Sequence, residues 1–321
     1  MNTGSTTNNQ RPQLYLAGIG ERGAVWREAL AAVAPQIEII DHPPTETERT
    51  TIHYALSWKP QPGELAALPH LRAIFGLGAG VDGILADTTL PTNVPLVRMV
   101  ESGLTQGMVE YCLWQVLYHH RRFWETEEAQ RQHHWLDQYY PAPWDRCVGI
   151  MGLGEIGRAV AAQLTSFKFN LRGWSRSRKD LPGIDSFAGL DALPDFLSAC
   201  DILVCLLPLT PETRGLLNAD LFAQLPRGAA IINAGRGAQL NEADLLAAMR
   251  SGQIGSASLD VFQTEPLPVD HPFWRQARLF ITPHNASLTD PKAAARLIAR
   301  QIENDRAGLP LQHLVDRQRG Y

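Results

Sequence analysis

The sequence has 321 residues, of which 45% are apolar and 19% charged, with a formal net charge of −4. This length predicts two domains, and the composition excludes a disordered chain. The charge gives no reason to expect nucleic acid or an anionic membrane as a partner, and no apolar run approaches the roughly 20 residues of a membrane helix.

Residues 1–10 are polar, contain no apolar signal core and predict a mobile tail on a protein that is not exported. The four cysteines form no CxxC pair, and Cys147 and Cys205 stand in apolar runs where a reduced, buried thiol is the ordinary interpretation. We therefore expect a cytoplasmic protein, and the sequence predicts no metal site.

Short apolar runs alternate with helical patterns along the first hundred residues. A helix is predicted over 22–34, and strands are predicted at 14–17, 37–40, 54–58, 71–77 and 95–100. Strands separated by helices predict a parallel sheet that is covered on both faces.

A long helix is predicted from Thr105 past Leu117, and a second α/β series follows it. Its helices are predicted at 156–166, 219–224 and 242–250, the last of them capped by Asn241. Its strands are predicted at 147–151, 171–174, 202–206, 230–233, 257–261 and 279–282.

The first strand of this second series runs directly into GLGEIG at 152–157, and a helical pattern follows. Gly152 permits a tight turn, Gly154 lets a pyrophosphate approach the backbone, and Gly157 lets the helix pack closely on the strand. The order of strand, glycines and helix predicts a dinucleotide site rather than a merely structural turn. Its predicted contacts are Gly152, Gly154, Glu155, Ile156 and Gly157.

The next strand ends at Trp174, and no acidic residue follows it to accept hydrogen bonds from a ribose 2′-hydroxyl. Ser175, Arg176, Ser177 and Arg178 stand there instead, and guanidinium groups bind a 2′-phosphate with charge-assisted hydrogen bonds. This pattern predicts NADP(H) as the preferred cofactor with NAD(H) possible, and Arg176 as the first candidate for the phosphate. The alternative is a solvated basic turn.

Three later segments each place a polar residue just after a strand. They are NAGRG at 233–237 with Arg236, DVFQTEPLP at 260–268 with Glu265, and TPH at 282–284 with His284. Because the carboxyl ends of parallel strands line one crevice, these side chains can converge although they are distant in sequence. Taken singly, each is more often a surface or loop residue than a catalytic one.

The four motifs, in this order, resemble the D-isomer-specific 2-hydroxyacid dehydrogenases, and the resemblance covers nearly everything after residue 10. Within the family, the chain is most similar to the glyoxylate and hydroxypyruvate reductases, on the residues at 75–82, 174–176 and 315–321. The resemblance implies that protonated His284 donates a proton to the carbonyl oxygen and that Glu265 orients the ring and favours its charged form. It implies that Arg236 binds the carboxylate of the keto acid and polarises its carbonyl.

The resemblance and the positions after other strands together imply further contacts. For the cofactor they are Leu207, Pro208, Thr213, Ala234 and Asp260, although Asp260 could have a purely structural role. For the substrate, besides Arg236 and His284, they are Trp58, Leu77, Gly78, Ala79 and Gly80. The loop at 77–80 could instead be a plain glycine turn, and Trp58 could simply pack in the core.

The fold class predicted is α/β, with two doubly wound parallel-sheet domains. An NADP-binding Rossmann domain at 107–287 is inserted into a flavodoxin-like substrate domain made of 11–106 and 288–321. The predicted function is NADPH-dependent reduction of small 2-keto acids, namely glyoxylate to glycolate and hydroxypyruvate to D-glycerate. Two alternatives stay open: a D-lactate, phosphoglycerate or phosphite type of dehydrogenase, and a dinucleotide-sensing protein like the corepressors of the family. The aromatic segment at 135–144 resembles the family's dimer arm and predicts a homodimer.

Overall fold

The computed structural model describes residues 11–321, so the tail predicted at residues 1–10 lies outside the described residues. The described chain divides into two compact units. The first comprises the described residues up to Leu104 together with Thr289–Tyr321, and the second is Thr105–Leu288.

The strands and helices alternate through most of the chain, as the apolar runs predict. The strands are β1 Gln13–Ala17, β2 Glu38–Ile40, β3 Tyr54–Ser57, β4 Ala73–Gly76, β5 Leu96–Val97, β6 Cys147–Met151, β7 Asn170–Ser175, β8 Ile184–Ala188, β9 Ile202–Cys205, β10 Ala229–Asn233, β11 Ile254–Leu259 and β12 Leu279–Ile281. The helices are α1 Gly23–Val33, α2 Glu46–Arg49, α3 Asp82–Leu85, α4 Ser102–His120, α5 Phe123–Arg131, α6 Glu155–Ser166, α7 Leu193–Leu197, α8 Ala219–Ala223, α9 Glu242–Ser251 and α10 Pro291–Arg306.

The first unit contains a five-stranded sheet in the order β2-β1-β3-β4-β5, with every pair parallel. This is the doubly wound order of flavodoxin-like folds, as the sequence predicts. Helices α1 and α10 contribute buried residues such as Trp26, Leu30 and Ile298 to one core cluster of this unit. The α10 helix begins cleanly because the Asp290 side chain accepts hydrogen bonds from two backbone amides and Pro291 occupies the first turn.

The second unit contains a seven-stranded parallel sheet in the order β12-β11-β10-β9-β6-β7-β8. Renumbered from β6, the order reads 7-6-5-4-1-2-3, which is the Rossmann order with one extra strand. The strand order reverses between β6 and β9, so the loops after these two strands lie at the switch point where such sheets bind ligands. Both sheets are parallel and helix-covered, and the predicted fold class is confirmed.

Strand β8 was not among the predicted strands. It lies at the edge of the seven-stranded sheet, and all five of its residues are at least partly exposed. Its sequence IDSFA therefore lacks the continuous apolar run by which buried parallel strands are recognised. The predicted cap of α9 is confirmed, because the Asn241 side chain accepts a hydrogen bond from Asp244 N at 3.2 Å. None of the helices in residues 11–321 is long and apolar enough to cross a membrane.

Candidate active site

The glycine-rich loop joins β6 to α6. Gly152 has a φ of +103°, which side-chain-bearing residues rarely adopt, and a Cβ there would lie 2.9 Å from Leu206 O. A Cβ on Gly157 would lie 1.8 Å from Gly152 O, so only glycine allows this close packing of helix on strand. A Cβ on Gly154 would meet no heavy atom within 4 Å, so the N-terminus of α6 is open on that side. Glu155 and Ile156 form the first turn of α6. The loop therefore has the clearance and the helix dipole that a pyrophosphate requires.

The turn after β7 carries the basic residues predicted to bind a 2′-phosphate. Ser175 is buried, and its hydroxyl donates to Ser177 O at 2.7 Å, which holds the turn in shape. Arg176, Ser177 and Arg178 are exposed. The pKa of Glu212 is lowered, first by hydrogen bonds from Thr210 and from the Glu212 backbone. The positive charge of Arg176 lowers this pKa further, so Arg176 lies near Glu212. The turn after β7 is therefore near the loop that follows β9.

The loop after β9 contains Leu207, Pro208 and Thr213. Thr213 Oγ1 donates to Pro208 O at 2.7 Å and accepts from Thr210 N at 2.8 Å, so this hydroxyl is committed to closing the loop. Leu207 is buried, and Pro208 is partly exposed. The side chain of Thr213 thus shapes the loop, and its predicted contact with a cofactor stays a prediction.

His284 and Glu265 form a direct pair. His284 Nδ1 lies 2.8 Å from Glu265 Oε2, and both side chains are partly exposed. The other carboxylate oxygen, Glu265 Oε1, accepts a hydrogen bond from Phe262 N at 3.1 Å. Because the carboxylate contacts Nδ1, it orients the ring and leaves Nε2 as the nitrogen that can carry a proton to another group.

The backbone at His284 is held by Asp260. His284 has a φ of +51°, an unusual conformation for a residue with a side chain, and its N–H lies 2.8 Å from Asp260 O. The buried oxygen Asp260 Oδ1 accepts from Thr282 Oγ1 at 2.7 Å and from Asn285 N and Ala286 N at 2.9 Å each. Burial raises the pKa of Asp260, and these hydrogen bonds oppose that effect. Asp260 therefore fixes the loop on both sides of His284.

Arg236 follows β10 in the NAGRG segment. Its backbone N–H donates to Gln239 Oε1 at 2.8 Å, and the Gln239 amide Nε2 donates to Leu207 O at 2.9 Å and Pro208 O at 3.0 Å. Gln239 is fully buried and ties the Arg236 loop to the loop after β9. Ala234, also buried, donates its N–H to Cys205 O at the same sheet edge.

The motifs do not indicate the roles of Gln239 and Thr282, whose side chains hold the loops of Arg236 and His284 in place. Gln239 stands in the short run AQL directly after GRG, where a polar residue between apolar neighbours is a weak sign of a buried hydrogen-bonding role. Thr282 immediately precedes Pro283 and His284, and its hydroxyl also lies 3.1 Å from the Tyr111 hydroxyl. Neither contact could be read from the spacing of the motifs.

The predicted substrate residues of the first unit lie together at the carboxyl ends of β3 and β4. Leu77 N donates to Ser57 O at 2.9 Å and so belongs to the sheet, whereas within residues 11–321 the amides of Gly78, Ala79 and Gly80 have no backbone acceptor. A Cβ on Gly78 would lie 3.2 Å from the ring of Trp58, so the indole packs over this loop. Trp58 is partly exposed. The loop therefore presents three amides beside an aromatic wall.

The chain matches known proteins at the level of sequence. The family model "D-isomer specific 2-hydroxyacid dehydrogenase, NAD binding domain" matches residues 113–286. Glyoxylate/hydroxypyruvate reductase A of Serratia proteamaculans is 45% identical over 303 residues, which cover 92% of this chain and 96% of that protein.

Solved structures agree with this match. A D-isomer specific 2-hydroxyacid dehydrogenase of Xanthobacter autotrophicus, in complex with NADPH and MES, has a TM-score of 0.92 at 42% identity, covering 97% of this chain and 100% of its own. The NADPH-dependent glyoxylate/hydroxypyruvate reductase of Sinorhizobium meliloti, in complex with NADP and sulfate, has a TM-score of 0.90 at 39% identity with the same coverage. These similarities extend over both units of the chain.

Proposed function

The chain belongs to the family of D-isomer-specific 2-hydroxyacid dehydrogenases, and from that premise we propose that it reduces glyoxylate to glycolate and hydroxypyruvate to D-glycerate with NADPH. The observation that carries the proposal is the 2.8 Å contact between His284 Nδ1 and Glu265 Oε2 at the carboxyl edge of a Rossmann sheet. The choice of keto acids is supported by the reductases of Serratia proteamaculans and Sinorhizobium meliloti, to which the chain is similar over nearly its whole length.

Each polar residue of this edge has a separate task in the reduction of a ketone. Bound nicotinamide supplies the hydride. His284, protonated, gives its Nε2 proton to the oxygen on which negative charge develops, and Glu265 keeps the ring oriented for that transfer. Arg236, whose planar guanidinium stays charged, pairs with the carboxylate and polarises the carbonyl. Gly78, Ala79 and Gly80 are proposed to bind the substrate through their backbone amides. Leu77, whose amide is bonded to Ser57 O, is proposed to contribute by holding that loop against the sheet, and Trp58 by limiting the size of the acid.

NADPH is the proposed cofactor because the residues present fit it. The open space at Gly154 suits a pyrophosphate, and the residues directly at and after the end of β7 are Ser175 and Arg176 rather than a carboxylate that would repel a 2′-phosphate. The exposed Arg176 stands on a turn held by the Ser175 hydroxyl, with Ser177 and Arg178 beside it. Leu207, Pro208, Thr213, Ala234 and Asp260 stay predicted contacts along the rest of the cofactor.

Changing Arg176 to alanine is expected to weaken NADPH binding by about ten- to a hundredfold and NADH binding much less. The reason is that a hydrogen bond to a charged group contributes about 1.5–3 kcal/mol, and NADH lacks the 2′-phosphate. Dissociation constants for both cofactors, measured by titration of nucleotide fluorescence, test this. Arg227→Ala is a matched control, because Arg227 caps a carbonyl at Ser251 outside the proposed site. An equal loss for both cofactors would assign Arg176 another role.

The proposed function as a whole is tested with a panel of 2-keto acids, each assayed with NADPH and with NADH. We expect the highest kcat/KM for glyoxylate and hydroxypyruvate with NADPH. A preference for larger or phosphorylated keto acids would overturn the substrate assignment, and a preference for NADH would overturn the cofactor assignment.

We propose that the protein forms a homodimer and that it is located in the cytoplasm. Trp135, Tyr139 and Trp144 are exposed in the aromatic segment, and Trp114, also exposed, packs on Phe280 of the edge strand β12. Exposed aromatic patches of this kind mark protein interfaces. All four thiols are unpaired in the structure, as in proteins of a reducing compartment. The mass in solution, measured by light scattering, tests the dimer.

A further inference from the structure

We propose that Cys147 and Cys200 form a modification site for hydroperoxides, in which the two thiols are converted into a reversible disulfide. The site lies in the second unit at the amino ends of β6 and β9, whereas the glycine-rich loop follows the carboxyl end of β6. It is therefore separate from the residues proposed for the reduction of keto acids.

The backbone holds the two cysteines next to each other. Strands β6 and β9 are parallel neighbours with Val148 opposite Ile202, which places Cys147 beside the segment that leads into β9. Two hydrogen bonds fix this end of the strands, from Asp201 N to Cys147 O at 3.0 Å and from Cys147 N to Asp201 Oδ2 at 2.9 Å. The Cys147 and Cys200 side chains are close enough for each to shift the pKa of the other.

The face of the strand also brings the sulfur atoms together. Side chains two residues apart in a strand point to the same face, so Gly149 shares a face with Cys147. A Cβ on Gly149 would lie only 2.4 Å from Cys200 Sγ. The missing side chain of Gly149 thus leaves the space that the Cys200 sulfur occupies, beside Cys147 and on the same side of the sheet.

The two thiols differ in access and in acidity. Cys147 is partly exposed and lines a surface cavity of about 590 Å³ together with Arg172, whereas Cys200 is fully buried. The neighbouring Cys200 thiol and the positive charge of Arg172 lower the pKa of Cys147. The neighbouring Cys147 and burial raise the pKa of Cys200. Since the thiolate is the reactive form, Cys147 is the attacking residue and Cys200 the second thiol.

Hydrogen bonds to backbone carbonyls hold the Arg172 side chain near the two cysteines, where its charge acts on Cys147. Its Nη1 donates to Asp195 O at 2.6 Å, and the same nitrogen lies 3.4 Å from Phe196 O. The Cys200 thiol donates to that same Phe196 oxygen at 3.0 Å. The end of α7 thus holds the guanidinium beside the two cysteines. When Cys147 is a thiolate, the Cys200 thiol can rotate and donate its hydrogen bond to Cys147 instead of to Phe196 O.

The reaction has two balanced steps. The Cys147 thiolate attacks the terminal oxygen of a hydroperoxide ROOH, the O–O bond breaks, and the alcohol ROH leaves with the proton that Cys147 released. Cys147 is then a sulfenic acid. Cys200 attacks its sulfur, the S–S bond forms, the S–O bond breaks, and water leaves with the proton of Cys200. The two thiols lose two electrons to one peroxide, and a dithiol reductant restores them by exchange.

The test uses the full chain with one molar equivalent of hydrogen peroxide, followed by alkylation in denaturant and intact-mass analysis. The chain has four cysteines, so we expect alkylatable thiols to fall from four to two and to return to four after dithiothreitol. Proteolytic mapping is expected to identify a peptide that links Cys147 to Cys200. Four thiols still alkylated after peroxide, or a link that involves Cys112 or Cys205, would overturn the proposal.

Variants separate the two roles. Cys200→Ser is expected to stop at the sulfenic acid of Cys147, detected as a dimedone adduct, and Cys147→Ser is expected to give neither adduct nor disulfide. Cys112→Ser is the matched control, because Cys112 is a buried thiol of another core cluster and should leave the disulfide unchanged. Adduct formation in Cys147→Ser would contradict the assignment. The wild-type thiol count decides the question even where a variant does not fold.

Discussion

Replacing His284 with alanine is expected to lower kcat for glyoxylate by about 10²- to 10⁴-fold, the range that general acid catalysis contributes. The alkoxide that develops on the carbonyl oxygen would lose its proton donor. Binding of NADPH should stay nearly unchanged, because the proposed phosphate contacts lie on the glycine-rich loop and on the turn after β7. Steady-state kcat and a separate titration of NADPH provide the two measurements.

The Glu265→Gln variant is the companion experiment. It keeps the side-chain length next to His284 Nδ1 but removes the negative charge 2.8 Å from the ring. Because the neutral amide accepts a weaker hydrogen bond than a carboxylate does, the ring is held less firmly, and kcat for glyoxylate should fall while NADPH binding stays nearly unchanged. An unchanged kcat in Glu265→Gln would separate Glu265 from the proton donor, and an unchanged kcat in His284→Ala would remove His284 from that role. His271→Ala is a control, because that imidazole pairs with Glu242 at the start of α9 and not with Glu265.

Replacing Arg236 with lysine is expected to lower kcat/KM for glyoxylate by about 10²- to 10³-fold, as the loss of an oxyanion-stabilising donor does. Lysine keeps the positive charge, so a loss of kcat/KM would come from the changed geometry of the contact with the carboxylate. A guanidinium binds a carboxylate with two parallel hydrogen bonds, whereas an ammonium acts as a point charge. The Arg236 backbone is positioned by Gln239, which the substitution does not touch.

The control for this variant is Arg250→Lys, an exposed residue at the end of α9. It should leave kcat/KM unchanged. If Arg236→Lys retained full activity, the guanidinium would not be the group that binds the carboxylate. If only the KM for NADPH changed, Arg236 would belong to the cofactor site instead.

Sequence patterns were sufficient for the fold class because buried parallel strands leave a strong signal. Runs such as those of β6 and β9 are apolar throughout, since both faces of the sheet are covered by helices. The edge strand β8 gave no such signal because one side of it meets no further strand and its residues are partly exposed. The basic turn after β7 and the glycine-rich loop were equally visible, because phosphate chemistry restricts the residue types at each position.

The contacts within the candidate active site depend on the tertiary structure. The motifs alone indicate that Arg236, Glu265 and His284 each follow a strand of a parallel sheet, which restricts them to one edge. Whether Glu265 reaches Nδ1 of His284, and whether Asp260 and Gln239 point into the loops that they hold, depends on contacts between residues at least 19 positions apart. The same is true of Cys147 and Cys200, which share no motif and meet because β6 and β9 are neighbours. Hydrogen bonds between distant segments form only once packing has fixed the register of those segments, so no local sequence pattern predicts them.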